Sequence, residues 1–139
     1  MTKTTSRIFQ VVPALVFIGN ELIRTYVRPI YGQKKYGILS EVLGWLPNLL
    51  AGFGIITLAI AVIILVQIID TKALSTRMKW LVLILSAFIA LAGLILHEVF
   101  QKNTGLYYDI QDIIASITGV ALGMITYYFV LLRNNDNQL

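Results

Sequence analysis

From Trp80 to Leu96 the chain carries no charge and a single hydroxyl, Ser86. Few folds are open to such a stretch. A helix needs about 20 predominantly apolar residues to cross a bilayer core, and in hydrocarbon its backbone polar groups must be satisfied within the segment itself. Arg77 and Lys79 border the run on one side and Glu98 on the other, so a span over about 80–99 is the cleanest reading. Three further apolar runs, about 8–27, 40–69 and 110–132, read the same way.

Composition agrees. Of 139 residues, 58% are hydrophobic and 13% charged, where a soluble domain has about 45–50% and about 25%; the mean hydropathy is +0.79. Four spans with short loops fill this length and leave no separate soluble domain. The expected fold is an all-α integral membrane protein, residues 1–139 forming one membrane domain of four transmembrane helices in a compact antiparallel bundle. Lys3 and Arg7 precede the first run without a small-residue cleavage site, so that run is read as a retained helix. The second run is longer than a crossing requires. Pro47 is expected to kink it, or to part an interfacial turn from a span beginning near Leu46.

The net charge is +4. The basic residues flank apolar runs, as headgroup contacts and topology signals do, so membrane lipids rather than nucleic acid are the expected partners. With four spans, Lys3, Arg7, Lys72, Arg77, Lys79 and Arg133 share one side, and Arg24, Arg28, Lys34, Lys35 and Lys102 the other. This slight excess favours both termini in the cytoplasm. The chain has no cysteine and one histidine, His97, whereas haem and histidine metal sites draw on further ligands. No metal or cofactor is expected. Trp45, Trp80, Tyr107, Tyr108, Tyr127 and Tyr128 lie near span ends, where aromatic belts form.

Four alternating spans bring the end of the first, the start of the second, the end of the third and the start of the fourth to one membrane face. The polar residues collect at those places. Asn20, Arg24 and Arg28 are spaced i, i+4, i+8, with Glu21 three residues before Arg24, on one helical stripe. Glu41 and Asn48 open the second span, His97, Glu98 and Gln101 close the third, and Asp109, Gln111, Asp112 and Ser116 open the fourth. Of the 7 acids in the chain, Glu21, Glu41, Glu98, Asp109 and Asp112 belong to this set. Acids at membrane depth are costly and mark functional sites by default, although Asp109 and Asp112 also suit a helix start as caps. Glu98 is expected to face the interior and pair with Arg24 or Arg28. Gly119-x-x-x-Gly123, preceded by Ala115, has the spacing that lets membrane helices approach closely.

Glu98-x-x-Gln101, a loop, then Asp112-x-x-x-Ser116-x-x-Gly119-x-x-x-Gly123 resembles the VanZ-like family of small bacterial membrane proteins, named after a teicoplanin-resistance factor. The resemblance covers about the C-terminal third. The family pattern is E-x-x-Q, a loop with arginine, then D-x-x-x-N-x-x-G-x-x-x-G. Ser116 stands where asparagine is usual, and the loop from Lys102 to Tyr108 has no arginine. A D-K-x-x-H motif common in the family has no counterpart in Pro47-Asn48-Leu49-Leu50-Ala51. The resemblance implies a divergent member in the bacterial cytoplasmic (inner) membrane, associated with the cell envelope and with glycopeptide susceptibility.

These observations lead to a cell-envelope protein whose polar pocket, at the non-cytoplasmic face, binds a lipid-linked or other amphiphilic ligand. The expected binding residues are Glu21, Arg24, Asn48, Glu98, Gln101, Asp112 and Ser116, with Gly119 and Gly123 packing helices. No nucleophilic triad, phosphate-cradling loop or metal-ligand set is visible, which leans away from an enzyme. The alternative is a non-enzymatic accessory or scaffold subunit of a larger membrane complex, its polar residues serving as internal glue for a membrane protein partner. A small proton-coupled transporter is a third reading, disfavoured because the acids lie toward span ends.

Overall fold

A computed structural model describes residues 3–69, 74–101 and 110–133, and within them the side chains of all but Lys3, Lys34 and Gln101. Helix α1 covers Lys3–Leu22, runs through a π-helical turn at Ile23–Val27, and continues as the short helix α2, Arg28–Tyr31. A 3-10 turn at Lys34–Tyr36 leads to α3, Ile38–Ile69; α4 spans Thr76–Gln101, and α5 spans Ile110–Tyr127 before a second π turn at Tyr128–Leu132. No strand occurs among the described residues. Four helical stretches, Thr4–Tyr31, Ile38–Ile69, Thr76–Phe100 and Ile110–Leu132, are long and apolar enough to cross a membrane.

Local sequence explains the boundaries. Gly32 closes α2, its N–H donating to the Arg28 carbonyl at 2.8 Å, and Gly37 takes a φ of +55°, a region glycine enters without steric penalty. The Ser40 hydroxyl donates to the Gly32 carbonyl at 2.8 Å, and the Tyr31 and Tyr36 rings meet edge to face at 5.3 Å. The turn thus holds Arg28 beside the start of α3. At the start of α4, the Met78 N–H donates to the Ser75 hydroxyl at 3.3 Å, the bond of an N-cap serine. Pro47 does not divide α3: the helix is continuous over 32 residues from Ile38. At about 1.5 Å per residue it is about 48 Å long, against a hydrocarbon core of about 30 Å.

Helix α3 is the hub. Helices α1, α4 and α5 all pack on it, α5 most extensively, and α4 also meets α5. Ile56, Ile60, Ile63 and Ile64 of α3, at helical spacing, bury against Leu83, Ala87 and Ala90 of α4 and Val120 and Tyr127 of α5. The α3–α5 contact is close because glycines remove side chains from both helices. A Cβ on Gly119 would run into the Leu49 carbonyl, one on Gly123 would lie 2.6 Å from the Ile56 Cβ, and one on Gly52 would lie 2.7 Å from the Ser116 carbonyl oxygen. Gly52 therefore completes a seam of which Gly119 and Gly123 form the other side.

The outer surface is apolar, with Phe88 and Ile89 of α4 at 70% and 63% exposure. Tyr127 departs from the aromatic-belt expectation. It is fully buried, and its hydroxyl donates to the Lys79 carbonyl at 2.6 Å, because a buried phenol needs a partner. Lys79, read from the sequence as a border cation, is buried at the same end.

Candidate functional site

Toward the opposite end, the end of α1 with the π turn and α2, the third and fourth turns of α3, the last turns of α4 and the first turn of α5 surround a polar cavity of about 140 Å³. Asn20, Arg24 and Arg28 form one wall, and Pro47, Asn48 and Ala51 of α3 another. Leu94, His97 and Glu98 of α4 and Asp112 of α5 complete it. The stretch from α1 through α2 brings three polar residues to one cavity partly because of the π turn between them. Four residues of α-helix overshoot a full turn by about 40°, so a stripe at i, i+4, i+8 drifts around the axis. A π turn takes more residues per turn and offsets that drift between Arg24 and Arg28.

Glu98 is 2% exposed, and the Asn48 side-chain amide donates to its Oε1 at 3.4 Å. That is beyond the usual range of about 2.7–3.2 Å, so the contact is weak. Asn20 is 8% exposed, and its Oδ1 meets no hydrogen-bond donor among the described residues. Arg24, Arg28 and His97 border the cavity and are exposed, and Asp112 is half-buried.

Two larger spaces adjoin. A vestibule of about 400 Å³ is bounded by Arg28, Gly37, Ser40, Glu41, Gly44, Trp45, Gln111 and Asp112. Beyond it, a furrow of about 440 Å³ follows the α3–α5 seam past Trp45, Leu49, Ile114, Ala115 and Thr118. Arg28 and Asp112 border both cavity and vestibule, while Glu41, Trp45 and Gln111 border both vestibule and furrow. The three spaces are thus neighbours that share lining residues at each junction.

Of the residues expected from sequence, Arg24, Asn48, Glu98 and Asp112 meet at the cavity. Glu21 does not. It is exposed, accepts a hydrogen bond from the Thr25 hydroxyl at 3.0 Å, and borders a depression with Ile18, Leu22 and Tyr26. One residue past Asn20 turns it about 100° around the helix, so it leaves the stripe. Ser116 is 1% exposed and donates to the Asp112 carbonyl at 2.8 Å, which commits its hydroxyl to its own helix. Gln101 ends α4, and its side chain, like Lys102, Tyr107, Tyr108 and Asp109, lies outside the described residues.

Asn20, Arg28 and His97 were named among the converging polar residues but not among the binding set, and their i, i+4, i+8 spacing with Arg24 was the available signal for the first two. Trp45 bears no such signal, since its place near a span end reads equally as a belt residue. Among the described residues, no group of three or more His, Asp or Glu could hold a metal ion. Carboxylates, amides, guanidinium groups and an imidazole within apolar helices can bind a polar group through many hydrogen bonds, each stronger for the low local dielectric. Comparison with protein-family models, curated proteins and solved structures finds no match.

Proposed function

We propose that this chain is a multi-pass protein of the bacterial cytoplasmic membrane, a divergent relative of the VanZ-like proteins, that binds a lipid-linked or other amphiphilic ligand. One observation carries the reading: a polar cavity, a vestibule and a mainly apolar furrow lie side by side, each sharing lining residues with the next. An amphiphile requires that sequence of environments. Glu98, Asp112 and Asn48 offer acceptors to its headgroup, and Arg24 and Arg28 offer donors. In this reading the spans alternate as an antiparallel bundle with both termini cytoplasmic, and the cavity faces the non-cytoplasmic side, where a cell-envelope ligand is met. The VanZ-like resemblance supplies the link to glycopeptide susceptibility.

The test replaces Glu98 and Asp112 separately by alanine in folded, membrane-inserted protein. The expected result is weaker stabilisation by added envelope lipid extract in thermal unfolding, together with altered teicoplanin susceptibility in cells carrying either variant. Unchanged values of both in both variants contradict the proposal.

A further inference from the structure

The ligand's headgroup chemistry can be argued further. Resting on the reading of this site as an amphiphile pocket, we infer that the occupant is a glycolipid, with an uncharged hydroxyl-rich headgroup in the vestibule and its tail in the α3–α5 furrow.

Charge placement argues against an ionic headgroup. Arg28 and Asp112 border both vestibule and cavity, and Glu41 borders the vestibule as well. Charges of both signs line the vestibule, so an anion or a cation seated there meets a like charge as well as an opposite one. A hydroxyl avoids the conflict because it both donates and accepts. It can donate to Glu41 or Asp112 and accept from Arg28.

Asn20 adds an independent requirement. Its Oδ1 is buried at the cavity without a donor among the described residues, and a buried acceptor left unmade costs about 1–3 kcal/mol. Whatever enters must bring a donor, which a hydroxyl does. Size assigns the parts. Small-molecule sites run to about 300–1,000 Å³, so the cavity of about 140 Å³ takes only the headgroup's leading hydroxyl or water, and the vestibule of about 400 Å³ takes a sugar ring. A Cβ on Gly44 would meet nothing within 4 Å, so the vestibule wall is open there.

The tail position follows from the furrow. Leu49, Ile114 and Ala115 line it, Glu41 and Gln111 border it where it adjoins the vestibule, and Thr118 donates its hydroxyl to the Ile114 carbonyl at 2.8 Å. Trp45 borders both spaces, at the junction where the ligand changes from polar to apolar, a position suited to an aromatic ring with one polar atom.

The experiment uses the full chain in a sugar-free detergent such as lauryldimethylamine oxide, mixed with equal amounts of three dioleoyl lipids: monoglucosyl diacylglycerol, phosphatidylglycerol and phosphatidylethanolamine. Native mass spectrometry reads the lipid retained. The expected result is preference for the glucolipid by about tenfold over each phospholipid, a difference of about 1.4 kcal/mol, reduced to parity by Asn20→Leu and by Gly44→Leu. Equal retention of the three, preference for a phospholipid, or a preference surviving both variants overturns the glycolipid assignment and leaves an amphiphile pocket standing. No lipid retained at all overturns both readings.

Discussion

Asn48 and Glu98, fifty positions apart in sequence, meet through one long hydrogen bond of 3.4 Å at the wall of the polar cavity. The contact is too long to be the main tie between α3 and α4, whose packing rests on buried isoleucine, leucine and alanine. In the proposed reading the pair lines the headgroup site.

A double-mutant cycle separates that role from internal glue. Polar contacts between membrane helices average about 0.6 kcal/mol and reach about 1.7 kcal/mol. Asn48→Ala and Glu98→Ala are expected to show a coupling near the lower figure when unfolding is followed in mixed detergent. A coupling above about 2 kcal/mol would favour the scaffold reading, in which the polar residues serve the fold.

Asn20 tests the same division from the other side. Replacing a buried group that lacks a partner by an apolar one of similar shape is neutral or stabilising. Asn20→Leu is therefore expected to leave the unfolding temperature of the ligand-free protein unchanged or raised while removing the preference for the glucolipid. A clear loss of stability would show that Asn20 holds the helices together.

The glycine seam governs the fold. Gly119→Ala puts a methyl against the Leu49 backbone, and overpacking of this kind costs about 1–3 kcal/mol or more. Gly93→Ala on α4, where a Cβ would meet nothing within 4 Å, serves as the control and is expected to unfold with the wild type. Equal stability of the two variants would contradict close α3–α5 packing.

Tyr127→Phe removes the hydroxyl that donates to the Lys79 carbonyl. The expected loss is about 1 kcal/mol of stability with no change in lipid retention, because this contact lies at the end of the helices away from the cavity. Reduced retention at unchanged stability would mean that the two ends are coupled.

Much of this was readable from the chain. Membrane-length apolar runs locate the four long helices, and the polar residues at their ends locate Arg24, Asn48, Glu98 and Asp112 at one cavity. What escaped has physical causes. The π turn at Ile23–Val27 has no residue signature, yet it helps keep Arg28 on the stripe that Glu21 leaves. Pro47 suggests a break, but neighbouring helices let a proline persist within a continuous membrane-type helix. Tyr127 and Trp45 sit near helix ends like belt aromatics, and only tertiary packing decides that one is buried and the other borders a furrow. Gly52 is one small residue in a long apolar run, and its role emerges only when α5 lies against it.

The central claim is that the cavity, vestibule and furrow hold an amphiphile. Native mass spectrometry of protein extracted from its own membrane in a mild detergent tests it most directly, with wild type beside the Glu98→Ala, Asp112→Ala double variant. One amphiphile is expected per wild-type chain, and none on the double variant at matched folding. Equal retention by the two proteins, or none by the wild type, would contradict it.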